Sequence, residues 1–398
     1  MLSEEDFLKG SFFDFLKVRA SYGLTGNQAI SDFPFQGLVS DGNYGDTPGS
    51  APSNLANPDL KWETTKQFDI GADMAVAKGR ISLTADYYDK RTDDLLLERP
   101  ISGTSWFATV FDNVGGVLNK GWELGLTTVN IDSRKPDGFR WTTTLNVARN
   151  INRVTELFNN QPFNEGIRDI NRVAVGEPLG AFYTLHFTGV DPATGDAIFE
   201  DRNHDGEITA DDQTIVGSPW PDWTGGFTST MNYKGFDLTG FLVINQGAEI
   251  FNAMRIFADN GGCTFDNQFT SVLARWQKPG DITNVPRASY DCASGADIIS
   301  DRYVEDGSYW RLQDLTLGYR LPEKVAGGLG FASARFYVSV RNLFTVTDYT
   351  GYSPDVNSNG ANNVDSGSLA TSSEVGLGTD FYAYPQPRTW TFGIQAGW

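Results

Sequence analysis

The last ten residues of the chain alternate strictly between apolar side chains and small or polar ones. One set consists of Trp390, Phe392, Ile394, Ala396 and Trp398, and the other of Thr389, Thr391, Gly393, Gln395 and Gly397. Because successive side chains of a β-strand point to opposite faces, Arg388–Trp398 is predicted to be a strand with one apolar and one polar face. Such a strand fits a wall between lipid and water, although a soluble half-buried sheet would alternate as well.

The same period of two recurs in segments spread along the chain. In Arg335–Leu343, three apolar residues alternate with arginine, tyrosine, serine and arginine. Charged and amide groups on the second face would be costly inside a dry sandwich core, whereas a water-filled lumen solvates them. About ten spanning strands are predicted, near residues 15–24, 61–76, 80–92, 120–131, 139–152, 222–232, 236–246, 308–320, 334–343 and 388–398.

The connections between these segments alternate between short and long. The short ones are Ala77–Gly79, Asp132–Gly138, Tyr233–Gly235 and Leu321–Ser333, and the long ones are Thr25–Leu60, Asp93–Asn119, Arg153–Pro221, Gly247–Gly307 and Phe344–Pro387. Most connections in soluble domains are short, whereas outer-membrane barrels combine short periplasmic turns with long extracellular loops. We therefore predict an all-β fold, an antiparallel transmembrane β-barrel whose carboxyl terminus lies on the periplasmic side.

Ten strands are predicted to be only part of this barrel. An open sheet edge leaves backbone groups without partners in hydrocarbon, and loops this long would crowd a ten-strand rim. We therefore expect an incomplete barrel, with about ten strands of a larger one. Ala181–Val190 also alternates, but a spanning strand there would invert every later loop. We therefore predict that Gly180–Pro221 is an extracellular excursion with local structure of its own.

Composition and charge exclude several functional classes. The formal net charge of −19 argues against nucleic-acid binding. No apolar run approaches the roughly 18 residues that a membrane helix requires. The two histidines, His186 and His204, lie 18 residues apart without partners at zinc-site spacing, and no nucleophile or phosphate-loop motif occurs. An enzyme is therefore not expected.

A loop that begins at Asp201 has the spacing of a calcium-binding loop. Its oxygen-bearing residues are Asp201, Asn203, Asp205, Glu207, Thr209 and Asp212, at positions 1, 3, 5, 7, 9 and 12 of an EF-hand-like frame. Calcium takes about six to eight oxygen ligands, and position 7 supplies a main-chain carbonyl. The aspartate at position 12 has a shorter reach than the usual glutamate. We predict a structural Ca²⁺ site here, and an acidic turn without metal is the alternative.

Aromatic residues in the long connections are candidates for substrate contact, because sugar rings stack on aromatic faces. They are Trp106, Phe107, Trp276, Tyr349 and Tyr352. Local packing, or a place in the aromatic belt at the membrane interface, is the alternative for each of them. Cys263 and Cys292 lie in one polar stretch and allow a single intrachain disulfide, with two free thiols as the alternative.

Motifs along almost the whole chain resemble SusC/RagA-type TonB-dependent outer-membrane receptors of Bacteroidetes. The matching stretches are VRASYGLTGN (18–27), NPDLKWETTKQFDIGAD (57–73), YYDKRTDDLLLERPI (87–101), NKGWELGL (119–126), VGEPLGAFY (175–183), DRNHDGEITADDQTIVGSPWPDWTGGF (201–227), GSYWRLQDLTLGYRLP (307–322), RFYVSVRNLFTVTDYTGYSPD (335–355) and YPQPRTWTFGI (384–394). The resemblance covers only the carboxyl-terminal portion of the family. A full member also has a signal sequence, a TonB-contacting segment, a plug domain and the earlier strands of a barrel of about 22 strands.

The amino terminus agrees with a truncated barrel. Met1–Lys9 is acidic and lacks the basic and apolar parts of a signal peptide. We therefore expect the chain to begin inside a longer one, with residues 1–398 forming the carboxyl-terminal barrel portion and the plug domain and signal sequence absent.

The resemblance implies import of glycans or oligopeptides across the outer membrane, energised by the TonB complex through the missing amino-terminal part. It also implies a SusD-like surface lipoprotein at the extracellular mouth and contact with outer-membrane lipid. The alternative is a soluble or surface-displayed β-sheet adhesin or glycan-binding module with a dockerin-like calcium loop. An adhesin would bury one face of each strand against a second layer.

Overall fold

The computed structural model describes residues 12–28, 33–113, 115–133, 135, 137–356 and 375–398. In chain order the strands are β1 (Phe13–Asn27), β2 (Val39–Tyr44), β3 (Thr47–Pro52), β4 (Glu63–Val76), β5 (Ile81–Asp93), β6 (Leu96–Pro100), β7 (Thr109–Asn113), β8 (Gly115–Asp132), β9 (Arg140–Leu157), β10 (Phe163–Glu165), β11 (Asn171–Val173), β12 (Ala181–Thr184), β13 (Phe187–Val190), β14 (Ala197–Phe199), β15 (Thr214–Gly217), β16 (Trp223–Tyr233), β17 (Phe236–Gln246), β18 (Glu249–Asn252), β19 (Val304–Asp306), β20 (Tyr309–Arg320), β21 (Ser333–Thr347), β22 (Thr379–Asp380) and β23 (Thr389–Gly397). The helices are α1 (Met254–Ala258) and α2 (Glu323–Gly328), with 3₁₀ turns at Gly103–Ser105, Phe158–Asn160, Ile167–Asp169, Ala210–Asp212, Thr270–Ala274 and Asp301–Tyr303. Among these helices, none is long and apolar enough to cross a lipid bilayer.

Ten long strands form one antiparallel sheet in the order β1-β4-β5-β8-β9-β16-β17-β20-β21-β23. They coincide with the ten spanning segments that the alternation predicts, so the predicted antiparallel wall is confirmed. β1 and β23 form the edges and, over the described residues, do not pair with each other, so the sheet is open. Several strands are longer than predicted. For example, β8 begins at Gly115 and β9 ends at Leu157, because their pairing continues beyond the predicted ends.

The connections at the two ends of the sheet differ in length. At the end that we call the short-turn end they comprise residues 77–80, 133–139, 234–235 and 321–332, the last of which contains α2. At the opposite, long-loop end they comprise residues 28–62, 94–114, 158–222, 247–308 and 348–388. The turn between β16 and β17 has two residues in the left-handed region, Lys234 at φ 48° and Gly235 at φ 84°. Two-residue hairpins favour this combination because its twist matches that of the strands.

The register places apolar side chains on one face of the sheet. Phe336 of β21 lies opposite Tyr319 on one side and Ile394 on the other. The apolar rows of neighbouring strands therefore join into one continuous apolar face. Phe392 is 78% exposed and Ile394 is 69% exposed, so no second layer covers this face. A dry sandwich would have buried both.

The opposite, polar face is hydrogen-bonded across strands. Arg19 of β1 lies 2.9 Å from an oxygen of Asp73 on β4 and 2.9 Å from an oxygen of Asp86 on β5. Further along the sheet, Arg335 of β21 donates from Nε to Asp237 of β17 at 2.9 Å. These pairs remain open to water, which is what a wet lumen wall allows and a dry core would penalise.

The long connections build a second structure of small sheets, which we call the loop assembly. Its sheets are β10-β11-β12-β15, β13-β14 and β19-β18-β22. The strands between residues 180 and 221 belong to these small sheets and not to the ten-stranded one. The buried side chains form two clusters: Ile170, Phe182, Phe251, Ala253, Ile256 and Tyr303 in one, and Val117, Val154, Leu157, Val173, Leu179 and Val375 in the other. The dry core of this chain therefore lies mainly in its loops.

Candidate functional site

A groove of about 590 Å³ runs along the polar face of the sheet. Its walls include Asp86 and Glu123, and further along they consist of uncharged groups such as Asn146 and Thr224. Asp86 shares the single guanidinium of Arg19 with Asp73. Glu123 has no cationic partner among the described residues. The groove is therefore acidic at one end, and at the other end it is neutral, with amide and hydroxyl groups among apolar ones.

Beyond Asp86 and Glu123, outside the groove but on the same polar face, hydrogen bonds between side chains fix a cluster of neutral groups. Asn150 and Asn152 both donate to the side-chain oxygen of Asn119, at 3.0 and 2.9 Å. The Tyr88 hydroxyl donates to Asn150 at 3.1 Å. Amides and hydroxyls both donate and accept, so this surface suits polar solutes with many hydroxyl or amide groups.

The five aromatic candidates occupy different environments. Trp106 is 96% exposed at the tip of the β6–β7 hairpin, and its φ of 67° places a bulky residue in the left-handed region. Such backbone strain is found at functional positions more often than elsewhere. Tyr352 is also exposed, and Phe107 is half-buried. Trp106 and Tyr352 therefore remain the most accessible of the five.

The two other candidates make internal contacts. Trp276 donates from Nε1 to the carbonyl of Pro192 at 3.0 Å, and its ring lies against Gly195 so closely that a Cβ there would be 2.4 Å away. Tyr349 is buried, and its hydroxyl donates to Asp380 at 2.6 Å. Both residues therefore connect parts of the loop assembly. The sequence alone does not distinguish these packed aromatics from the exposed Tyr352.

Cys263 and Cys292 are joined in a disulfide, with their Cα atoms 4.8 Å apart. Phe265 and Tyr290 each lie two residues from one of these cysteines, and their rings contact each other at 6.4 Å. Both rings are largely exposed. Sequence reasoning missed this pair. The signal that could have found it is that each ring lies two residues from a cysteine, so a disulfide brings the two rings together.

The loop Asp201–Asp212 folds into a series of tight turns. Asp201 accepts from the Gly206 amide at 2.9 Å, Asn203 from the Asp205 amide at 3.0 Å, and Asp205 from the Glu207 amide at 2.8 Å. Gly206 has a φ of 88°, which permits the sharp bend between these groups. The second carboxylate oxygen of Asp201 is buried and has no hydrogen-bond partner. An unpartnered buried carboxylate oxygen is what a bound cation would satisfy.

Asp212 closes the loop. Its two oxygens accept from the amides of Arg202 and Thr209, each at 2.8 Å, and the side chain is buried. These hydrogen bonds lower the pKa of the Asp212 carboxyl below its usual range. The backbone N–H of Thr209 contributes most, and those of Arg202 and Asn203 add to it. Outside the disulfide, no three carboxylates, histidines or thiols of the described chain come within 4.8 Å of one another. A cation in this loop would therefore also need the side-chain oxygen of Asn203, the hydroxyl of Thr209 and main-chain oxygens.

Comparison with known proteins agrees with this architecture. The family model described as TonB dependent receptor-like, beta-barrel matches residues 9–343. The chain is 35% identical over 422 residues to TonB-dependent receptor P3 of Formosa agariphila, covering 99% of this chain and 40% of that protein. It is 27% identical over 425 residues to TonB-dependent receptor SusC of Bacteroides thetaiotaomicron, covering 99% of this chain and 38% of that protein.

Solved structures give the same result. The RagAB peptide transporter superposes with a TM-score of 0.84 at 26% identity, covering 99% of this chain and 42% of that one. The RagAB peptide importer in its open-open state gives a TM-score of 0.80 at 28% identity, with 99% and 41% covered. The chain thus spans about two fifths of the length of the relatives it matches. It belongs to the TonB-dependent receptor-like β-barrel family, in its SusC/RagA-type branch, and is an outer-membrane protein.

Proposed function

We propose that this chain forms part of the wall of an outer-membrane importer that takes up glycans or oligopeptides. The observation that carries the proposal is the two-faced sheet: its apolar face is uncovered and suits lipid, while its polar face presents a wet groove. A wall rich in amides and hydroxyls suits both classes of solute. The matching RagAB structures are described as a peptide transporter, which favours peptides as the first substrates to test.

The partners of such an importer belong to the same proposal. A SusD-like surface lipoprotein would close the long-loop end, with Gly180–Pro221 on the extracellular side. The TonB complex would act through parts of the receptor other than residues 1–398. The exposed aromatics Trp106 and Tyr352 are the proposed first contacts for substrate at this end.

Uptake by cells tests the import proposal. A strain that lacks the receptor should lose growth on the transported peptides or glycans, and the wild-type gene should restore it. Thr224→Trp places a large side chain in the polar groove and should slow uptake severalfold. Phe227→Trp, on the apolar face of the same strand, is the matched control and should leave uptake unchanged. Equal uptake by the two variants, or growth that does not depend on the receptor for any peptide or glycan pool, would contradict the proposal.

We also propose that Asp201, Asn203, Asp205, Glu207, Thr209 and Asp212 hold a structural Ca²⁺ ion. The buried, unpartnered oxygen of Asp201 and the turns around Gly206 support this role. Bound calcium would stabilise the loop by about 2.7 kcal/mol at a hundredfold excess over its dissociation constant.

Limited proteolysis checks the calcium site. Chelation should expose residues 191–221 to cleavage, and Asp201→Ala with Asp205→Ala should do so even in calcium. Asp211→Ala, an exposed residue of the same loop outside the proposed ligand set, is the control. Cleavage that is the same with and without calcium would sink the assignment.

A further inference from the structure

A groove on the apolar face of the sheet lies near the short-turn end. It has a volume of about 520 Å³ and spans four strands, β17, β20, β21 and β23. Its lining side chains include Phe236, Leu317, Tyr319, Phe336, Phe392 and Ile394. The register aligns Phe236, Tyr319, Phe336 and Ile394 in one row across the strands. The groove is therefore a continuous apolar trough built into the lipid-facing surface.

The two ends of the molecule carry opposite charge. The five long connections contain 33 acidic and 11 basic residues, whereas the four short turns contain two acidic and six basic residues. The overall charge of −19 thus conceals a basic rim at the short-turn end. A basic rim beside the polar region of a bilayer attracts anionic lipid headgroups.

Two lysines of this rim belong to turns that lead into strands of the groove. Only Gly235 separates Lys234 from Phe236. The Lys234 ammonium lies 5.1 Å from the centre of the Tyr233 ring. Tyr233 pairs with Phe236 and belongs to the same apolar row, so the ammonium is held on the lipid-facing side. Lys324 lies on α2, in the connection between β20 and β21, and is exposed. Neither lysine has a carboxylate partner among the described residues.

We propose that the groove and these two lysines bind one anionic glycerophospholipid. An acyl chain would lie over the row that contains Phe336 and Ile394, and the phosphate would meet Lys234 and Lys324. The apolar trough is continuous with the surface that faces the membrane, and the uncompensated cations match the headgroup charge. The inference rests on the outer-membrane location of the chain and not on the nature of the imported substrate.

Native mass spectrometry of the protein extracted from the outer membrane in mild detergent tests this site. Phosphatidylglycerol is the probe, with phosphatidylethanolamine and phosphate-free diacylglycerol for comparison and inorganic phosphate as competitor. The wild type should retain one phosphatidylglycerol in preference to the other two lipids, and free phosphate should not displace it. Lys234→Gln with Lys324→Gln should weaken binding roughly thirtyfold. Each basic residue near an anionic lipid raises the affinity by about five- to sixfold, and the variant lacks two of them.

Matched variants separate the site from general contact with lipid. Val338→Trp fills the groove and should also abolish retention, with Ile394→Trp as a second filler should the first fail to fold. Lys78→Gln with Lys135→Gln removes two cations of other short turns, and Leu126→Trp alters the apolar face on β8; these should bind like the wild type. Equal binding by the Lys234/Lys324 variant and its control would overturn the proposal. Binding of diacylglycerol as strong as that of phosphatidylglycerol would also overturn it. A dimer of this chain that is lost on Val338→Trp would overturn it as well, because the groove would then be a protein interface.

Discussion

The ten-stranded sheet and the loop assembly use the same residue types in opposite ways. On the sheet, Phe392 and Ile394 are exposed, and the nearby ion pair of Arg335 with Asp237 lies on the opposite, polar face. In the loop assembly, Phe182, Phe251 and Tyr303 are completely buried in a core of the ordinary kind. The sheet therefore depends on lipid to cover its apolar surface, whereas the loop assembly carries its own hydrophobic core.

Ion pairs differ between the two regions in the same sense. The Arg19 side chain on the sheet is 33% exposed, and its carboxylate partners are open to water as well. In the loop assembly, Asp259 is fully buried between Arg255 and Arg302, at 2.7 and 3.3 Å. Exposed pairs contribute little because water screens them, whereas the loss of one partner of a buried pair leaves an uncompensated charge. The comparison predicts that charge substitutions are tolerated on the polar face and are costly at the buried ion pairs of the loop assembly.

The largest expected effect is that of Asp259→Asn. The substitution leaves Arg302 buried without its counter-ion and weakens the bond from Ser271, so it should destabilise the loop assembly by about 3 to 5 kcal/mol. Urea titration followed by proteolysis of residues 249–306 measures the loss. Asp73→Asn on the sheet, which leaves Arg19 paired with Asp86, should cost less than about 1 kcal/mol. Similar losses for the two variants would break the proposed contrast.

Removal of the disulfide should come next. Cys263 and Cys292 are 29 residues apart, and closing a loop of this length contributes about 3.5 kcal/mol in the chain-entropy model. Cys263→Ser with Cys292→Ser should therefore loosen residues 249–306 and leave the ten-stranded sheet unchanged. Hydrogen exchange measured separately on the two regions checks this localisation. Faster exchange in β20 and β21 as well would mean that the sheet and the loops do not unfold independently.

The sheet itself is tested by one charge placed on each of its faces. Phe227→Arg puts a guanidinium on the apolar face of β16 and should cost about 2 to 4 kcal/mol in lipid vesicles. Thr228→Arg, the next residue on the same strand, puts it on the polar face and should cost less than about 1 kcal/mol. Folding free energies from urea titration in vesicles give both numbers, and Phe227→Ala measures the loss of the ring alone. Equal costs for the two arginines would mean that the face assignment is wrong.

The sheet was predictable from the sequence because its signal is local. An alternation such as Phe336, Val338 and Val340 repeats within one strand, and strands that follow each other in the chain also pair in space. The short strands of the loop assembly carry no such signal. β22 has two residues and pairs in parallel with β18, which lies more than a hundred residues earlier. No period in the sequence indicates a contact of this kind.

The candidate site was predictable only in part, for the same reason. The calcium-type loop is a contiguous motif, so its turns follow from the order of Asp201, Asn203 and Asp205. The aromatic candidates depend on distant contacts instead. Tyr349 and Tyr352 are both loop tyrosines in the sequence, yet Tyr349 is buried and donates to Asp380, whereas Tyr352 is 64% exposed. Only the fold separates a packing residue from an accessible one.

The smallest expected effect is a pH dependence confined to the loop assembly. Asp380 is buried, and this burial raises its pKa above the usual 3.8, although the Tyr349 hydroxyl and the Ala383 amide donate to it. A carboxyl whose pKa is raised by folding adds stability that is fully present below about pH 4 and is lost as the pH rises through the folded-state pKa. The segment 375–381 should therefore be better protected from hydrogen exchange at pH 4 than at pH 7, after correction for the intrinsic exchange rates. Asp380→Asn should flatten this difference, because the amide stays neutral and can still bond to Tyr349.

Burial also raises the pKa of Glu249, so Glu249→Gln is the matched variant. If only Glu249→Gln removes the pH dependence, the response comes from the Glu249 carboxyl at the start of β18 and not from the Tyr349–Asp380 pair.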